Sequence, residues 1–249
     1  MKQVVVVKLG TKVLVSSADK IRLAVLQSLA KQIAKIHELG WHPIIVTSGA
    51  IACGNGVAGH TEAQSMVDQQ VAAMVGQPEL MAHWRDAFRQ WGIIIGQGLG
   101  THRDFSNADT VAAICRALEL GIVPVLNEND FVSTEEIRKL KLQGDNDALA
   151  AIVAKAVGAE KLILLSDVDG LLDRERHLIN IVTVIDQSIL DLASVVPSER
   201  PTGMGCKLKA AQEATLAGIT VHLANGDVKN VIIRIINQDP ACGTTFLAH

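Results

Sequence analysis

Residues 122–130 read Ile-Val-Pro-Val-Leu-Asn-Glu-Asn-Asp, and residues 144–156 read Gly-Asp-Asn-Asp-Ala-Leu-Ala-Ala-Ile-Val-Ala-Lys-Ala. The first is an apolar run that breaks off in four polar residues. The second is a polar cluster that opens a helical pattern. α/β sheets gather their ligands where strands end and helices begin. A carboxylate or amide at a helix start also has a structural reading, because Asp and Asn cap orphan N–H groups. Capping accounts for one or two of Asp145, Asn146 and Asp147. It leaves Asn127-Glu128-Asn129-Asp130 unexplained, and the whole ensemble suits a small ligand that carries an ammonium group.

Working outward from that stretch, strand and helix signals alternate along the chain. Residues 3–8 predict a buried strand. A helix follows with Ile21, Val25, Leu29, Ile33 and Ile36 on one face and Gly40 at its stop. Pro43 to Val46 reads as a strand, 64–75 and 78–91 as two helices, and Ile93-Ile94-Ile95 as a strand. Residues 107–120 predict a helix and 122–126 a strand. A helix at about 147–157, a strand at 162–165, a short strand near 181–184 and a helix at 186–195 come next. A loop at 197–205 leads to a helix at 207–217 and a strand from Thr220 to Leu223. The alternation predicts an α/β fold with a mainly parallel central sheet and helices on both faces. With no repeat, linker or low-complexity tract, residues 1–249 are expected to form one domain.

Composition supports the same class. Of 249 residues, 49% are hydrophobic and only 3% aromatic, with no Tyr. Cores of Val, Ile, Leu and Ala are what doubly covered parallel sheets contain. A net charge of −3 offers no basic field for nucleic acid or an anionic membrane. No apolar run approaches the ~18 residues of a membrane span, and Met1-Lys2-Gln3 leads into Val4 without a signal segment. Cys53, Cys115, Cys206 and Cys242 lack CxxC spacing and a neighbouring His pattern, so neither protein-held metal nor a disulfide scaffold is expected. A reduced cytoplasm fits, with small molecules and further copies of the chain, as a dimer or tetramer, as the partners.

Several short motifs can carry chemistry. Lys8 ends the first strand before Leu9-Gly10-Thr11, where glycine lets an anion approach the backbone; a simply solvated lysine is the other reading. Thr47-Ser48-Gly49-Ala50 repeats the arrangement after the second strand, as an anion cradle or an ordinary tight turn. Ser166-Asp167-Val168-Asp169-Gly170 lacks the ligand spacing of an EF-hand. Pro201-Thr202-Gly203-Met204-Gly205-Cys206-Lys207 is a glycine-rich loop ending at a helix start, a good polyphosphate site without the Walker spacing. Cys206 there is either an activated thiol or a small side chain filling the loop. Gly54-Asn55-Gly56-Val57-Ala58-Gly59 matches GxGxxG, but it neither leaves a strand directly nor opens a helix, so a dinucleotide site is disfavoured.

Together and in this order, Lys8-Leu9-Gly10-Thr11, Thr47-Ser48-Gly49-Ala50, Asn127-Glu128-Asn129-Asp130, Gly144-Asp145-Asn146-Asp147 and the Thr202–Lys207 loop closely resemble the glutamate 5-kinases of the amino acid kinase family. The resemblance runs from residue 4 to Gly243-Thr244-Thr245-Phe246. It implies an αβα sandwich, ATP with Mg²⁺ held mainly through the nucleotide phosphates, and phosphorylation of the side-chain carboxylate of L-glutamate in proline synthesis. Many members carry a C-terminal PUA domain, and the expectation here is the kinase domain without one. By position, Lys8 and Lys207 would hold the phosphates and the transferring group, and Asp147 would orient both lysines. Ser48, Gly49, Asp130, Asp145 and Asn146 would hold glutamate. Gly10, Ser166, Asp167, Thr202, Gly203, Met204, Gly205 and Cys206 would join the lysines around ATP.

The chain departs from the family in a glycine-rich loop one residue shorter and in a longer bridge from Phe131 to Gln143. That bridge, with Arg138, Lys139 and Lys141, reads as a solvated hairpin or as a flap over the glutamate pocket that weakens inhibition by proline. Two other functions compete: an amino acid kinase with another acceptor, and a non-catalytic amino-acid-binding regulator on the same fold.

Overall fold

A computed structural model describes residues 3–16, 20–59, 65–132, 146–194 and 203–249. The chain opens with β1 (Gln3–Leu9), the single turn α1 (Thr11–Leu14) and the long helix α2 (Leu23–Glu38). Then come β2 (Trp41–Val46), α3 (Ala50–Ala58), α4 (Met66–Arg89), β3 (Ile95–Gly100), α5 (Ala108–Glu119) and β4 (Val123–Glu128). The remainder holds α6 (Asn146–Ala156), β5 (Lys161–Ser166), β6 (Ile181–Val182) and α7 (Gln187–Asp191). It ends with α8 (Met204–Thr215), β7 (Thr220–Asn225), α9 (Val231–Ile236) and β8 (Thr244–Phe246).

The strands form one sheet in the order β3-β4-β2-β1-β5-β7-β8-β6. Every adjacent pair is parallel except β7–β8. Side chains alternate between sheet faces with a period of two, and here both faces are apolar. Val4 and Val6 of β1, Leu162 and Leu164 of β5, and Val221 and Leu223 of β7 pack with α5, α6 and α8. Val5 and Val7 of β1, with Ile163 and Leu165 of β5, pack with α2, α4 and α9. This is the expected αβα sandwich. Among the described residues no helix is long and apolar enough to cross a membrane.

Two expectations are corrected and one helix is added. The two helices at 64–75 and 78–91 are one, α4, which starts at a capping box between Ser65 and Asp68 and carries Pro78 inside it. The structure adds a helix for which the sequence offers no expectation, α3: Gly54 and Gly56 lie within it, and Gly59 caps its end. A Cβ on Gly54 would stand 1.9 Å from the Ala72 carbonyl oxygen, and one on Gly76 would stand 1.9 Å from that of Ala50. These glycines therefore let α3 and α4 cross backbone to backbone. The strand expected at 93–95 begins only at Ile95 and runs to Gly100.

Candidate active site

The carboxyl ends of β1, β2, β4 and β5 converge on one edge of the sheet. Lys8 shares its face of β1 with Val4 and Val6, so its side chain enters the layer of α6 and α8. There Lys8 Nζ lies 2.7 Å from Asp147 Oδ1, and Lys207 Nζ, from the first turn of α8, donates to Asp147 Oδ2 at 3.1 Å. Lys8 and Asp147 are completely buried and Lys207 nearly so. Burial by itself pushes the Asp147 carboxyl up. The two ammonium groups outweigh that effect and hold it below the ordinary carboxylate range. Its place in the first turn of α6 helps, because a helix N-terminus favours negative charge. Among these three side chains the cations outnumber the anion by one.

Beside this charged group stands a neutral one. Asn146 Nδ2 is 2.6 Å from the Thr47 carbonyl oxygen, 2.8 Å from Ser48 Oγ and 3.0 Å from Asn127 Oδ1. Asn127 Oδ1 also accepts from the Glu128 backbone N–H at 2.9 Å, and Asn127 Nδ2 donates to Gln77 Oε1 at 2.8 Å. The buried Trp84 indole donates to Thr47 Oγ1 at 3.2 Å, which satisfies its one polar atom. Gly49, next to Ser48, takes a left-handed backbone (φ 105°) as the N-cap of α3 and brings no side-chain cap. A helix start without a side-chain cap is a setting that favours anions.

The other flank is built from β1, β5 and α8. Gly10 N–H donates to the Leu165 carbonyl, and a Cβ on Gly10 would come within 3.8 Å of Lys8 Nζ. An anion can thus approach backbone and ammonium together. Ser166 Oγ donates to Asp167 Oδ1 at 3.1 Å, and Lys12 pairs with Asp167 Oδ2 at 2.8 Å. Burial raises the Asp167 carboxyl, but the Lys12 ammonium and neighbouring donors prevail and lower it. Gly203 is the N-cap of α8, again without a side-chain cap. Met204, Gly205 and Cys206 form its first turn, so this helix starts three residues earlier than expected. Cys206 is buried, which favours the space-filling reading over the activated thiol.

A cavity of about 340 Å³ opens beside the neutral group, lined by Ala50, Gln77, Gln97, Leu99, Glu128, Asp130 and Phe131 among others. Asp130 heads a 3-10 turn (Asp130–Val132) after β4. Gln70 of α4 holds that turn through the Phe131 carbonyl at 2.8 Å.

The expected residues thus fall into two neighbouring sets: Lys8, Asp147 and Lys207 with Gly10, Ser166, Asp167 and Gly203–Cys206, and Ser48 and Gly49 with Asn146. Asp130 lines the cavity next to the second set. Asp145, Thr202 and most of the 131–143 bridge lie outside the described residues. Sequence reading missed Gln77 and Lys12. Gln77 had one available signal, a polar residue in the buried helical stripe of Ala73, Leu80, Trp84 and Phe88. Lys12 had none, since its partner is 155 residues away.

Residues 3–225 match the amino acid kinase family pattern. The chain is 38% identical over 259 residues to glutamate 5-kinase 2 of Pseudoalteromonas translucida, a match covering 98% of this chain and 68% of that protein. It is 40% identical over 261 residues to glutamate 5-kinase of Serratia proteamaculans, covering 99% and 69%. The structure of N-acetylglutamate synthase from Neisseria gonorrhoeae aligns with a TM-score of 0.72 at 16% identity, over 99% of this chain and 60% of that one. That likeness carries the fold alone. With the pattern spanning most of its length and relatives of this identity, the chain belongs to the amino acid kinase family, among its glutamate 5-kinases.

Proposed function

We propose that the protein uses ATP to phosphorylate the side-chain carboxylate of L-glutamate, giving glutamyl 5-phosphate for proline biosynthesis. The observation that carries the reading is the buried Lys8–Asp147–Lys207 group set directly beside the Ser48–Asn146–Asn127 floor. A carboxylate that attacks a phosphoryl group brings two anions together, and fixed cations must oppose their repulsion. One unit charge 4 Å away contributes ~4 kcal/mol at an effective dielectric of 20. Lys8 and Lys207 supply two such charges, and Asp147 keeps them at fixed positions without cancelling both. Phosphoryl transfer depends mainly on positioning and electrostatics. A general base is unnecessary, because the acceptor carboxylate is already ionised at neutral pH.

In this reading Gly10, Ser166, Asp167 and the start of α8 receive the nucleotide, with Lys8 and Lys207 at its phosphates. The uncapped α8 N-terminus and the open approach at Gly10 fit a polyphosphate. Mg²⁺ bound to the nucleotide would add positive charge at the phosphate oxygens. Ser48, Gly49 and Asn146 receive glutamate, and Asp130 in the adjoining cavity meets its ammonium group. Asp145 and Thr202 keep their expected roles in glutamate and ATP binding.

The test is ATP turnover with L-glutamate, the acyl phosphate being trapped as a hydroxamate by hydroxylamine. Turnover dependent on glutamate is expected. Turnover with aspartate or UMP in its place, or none with any acceptor, would sink the proposal.

A further inference from the structure

Two backbone groups in the amide network have roles fixed by chemistry, since a carbonyl only accepts and an N–H only donates. The Thr47 carbonyl holds the Asn146 NH₂ at 2.6 Å. The Glu128 N–H holds the Asn127 oxygen at 2.9 Å. Both side-chain amides are therefore locked one way round. Asn127 must then turn its own NH₂ away from Glu128, and it meets Gln77 Oε1 at 2.8 Å. Gln77 comes from α4, on the opposite face of the sheet from α6, and is only 6% exposed. The proposed phosphoryl transfer makes no direct use of it.

Gln77 is also an odd choice for packing alone. Its Nε2 is buried without a hydrogen-bond partner among the described residues, a destabilising condition. Ala73, Leu80 and Trp84, on the same stripe of α4, show that apolar side chains fill this face without that loss. The oxygen end alone is used. Its position is rigid: Gly76, the preceding residue, is where α4 crosses α3 too closely for a Cβ. α3 in turn begins at Gly49, beside Ser48.

We propose that Gln77 is a positioning residue for the acceptor site. Its oxygen completes the hold on the Asn127 amide, and the Asn127 oxygen adds to the backbone hold on that of Asn146. With its NH₂ held by the Thr47, Ser48 and Asn127 oxygens, Asn146 is kept in one orientation beside the residues expected to hold glutamate. Removing the Gln77 oxygen leaves the Asn127 NH₂ buried without an acceptor. The pair can then relax only by rotating an amide and breaking the Asn146 or Glu128 contact. This inference rests on the glutamate reading and adds a residue that holds one of its glutamate-binding amides in place.

The experiment compares Gln77→Met, which keeps length and loses the acceptor, with Gln77→Glu, which keeps an acceptor oxygen. Gln77→Met is expected to raise the glutamate KM about tenfold or more, with kcat and the ATP KM within about threefold of wild type. Gln77→Glu is expected to hold the glutamate KM within about threefold, a rescue that a purely structural role would not give. An unchanged glutamate KM in Gln77→Met, or equal impairment of both variants, overturns the proposal. Should Gln77→Met not fold, Gln77→Glu decides alone. A wild-type glutamate KM then supports the oxygen-only role, and a weakened one contradicts it. Wild-type enzyme inert toward glutamate would sink the functional reading itself, whereas normal wild-type turnover with an unaffected Gln77→Met sinks only the positioning role.

Discussion

At one end of the site Lys8 and Lys207 share Asp147 across 2.7 and 3.1 Å, all three buried and one positive charge in excess. At the other end Asn146, Asn127 and Gln77 join amide to amide, with no formal charge on any of them. Both ends hang on the same sheet edge and both are buried, yet they solve different problems. Where negative charge crowds during transfer, a fixed cation pair is useful, and the desolvation of that pair is tolerated because Asp147 offsets part of it. Where a ligand must be told from its near relatives, directional dipoles serve better. An amide held one way round accepts or donates, and it rejects the wrong partner by leaving a buried group unpaired. If this division of labour holds, lesions at the charged end should act on kcat and lesions at the neutral end on the glutamate KM.

Lys207→Ala is the strongest challenge to that division. It removes one of the two cations from a low-dielectric position, a loss of ~4 kcal/mol that corresponds to about 10³-fold in kcat. The glutamate KM is expected to stay within about threefold, because the charge matters most as the phosphoryl group transfers. Lys8→Ala should behave alike. Steady-state kinetics at saturating ATP would check both, and a KM effect with kcat intact would mean that the two ends are swapped.

His222 sharpens the comparison by separating the site from the fold. It lies on β7, with Nδ1 3.0 Å from Thr245 Oγ1 of β8, far along the sheet order from β2 and β4. Burial, and less so the Lys161 ammonium, drives its pKa down to about 4. The unfolded chain takes up the proton near pH 6.5 while the folded chain refuses it. Stability from neutral His222 is therefore complete above pH 6.5 and declines as the pH falls toward 4. Each tenfold difference in proton affinity between the two states corresponds to ~1.4 kcal/mol, so the loss over that window is about 3 kcal/mol. Urea unfolding at about pH 7 and about pH 4.5 should show the decline, and His222→Gln should flatten it. An unaltered slope in the variant would move the effect to other groups, and acid loss of activity could then not be charged to the fold.

The charged end was readable in the sequence and the neutral end only in part, for a physical reason. Lysines at the ends of apolar runs and an aspartate at a helix start are local signals, and the fold simply brings them together. Gln77 owes its role to Asn127, 50 residues later, and nothing near it in the chain announces that partner. The same contrast runs through the fold. Apolar runs fixed β1, β2, β4 and β5 in the reading because both faces of those strands are buried. α3 goes unannounced and α4 is split in two, because Gly54, Gly76 and Pro78 look like punctuation, whereas close contact between the two helices requires the glycines. β3 was displaced toward Ile93-Ile94 because the true edge strand, Ile-Gly-Gln-Gly-Leu-Gly, is glycine-rich. A Cβ on Gly98 would press to 2.5 Å from Leu126 Cδ2, so close packing won there over β propensity.

The smallest expected effect, and the most selective, belongs to Asp130. It lines the cavity with Gln77 and Glu128, is only partly buried, and is assigned to the ammonium group of glutamate, which takes no part in the reaction. A hydrogen bond to a charged group contributes about 1.5–3 kcal/mol, and solvent screening at a partly exposed carboxylate pushes the value to the lower end. Asp130→Ala should therefore raise the glutamate KM by about tenfold and leave kcat within about threefold. Asp130→Asn, which keeps an acceptor oxygen and loses the charge, should fall between that variant and wild type. The order matters more than the size. If Asp130→Asn matches wild type, the pocket reads hydrogen-bond polarity alone, as the amide network does. If Asp130→Ala instead lowers kcat as steeply as Lys207→Ala, Asp130 belongs to the charged end and the boundary between the two must be redrawn through the cavity.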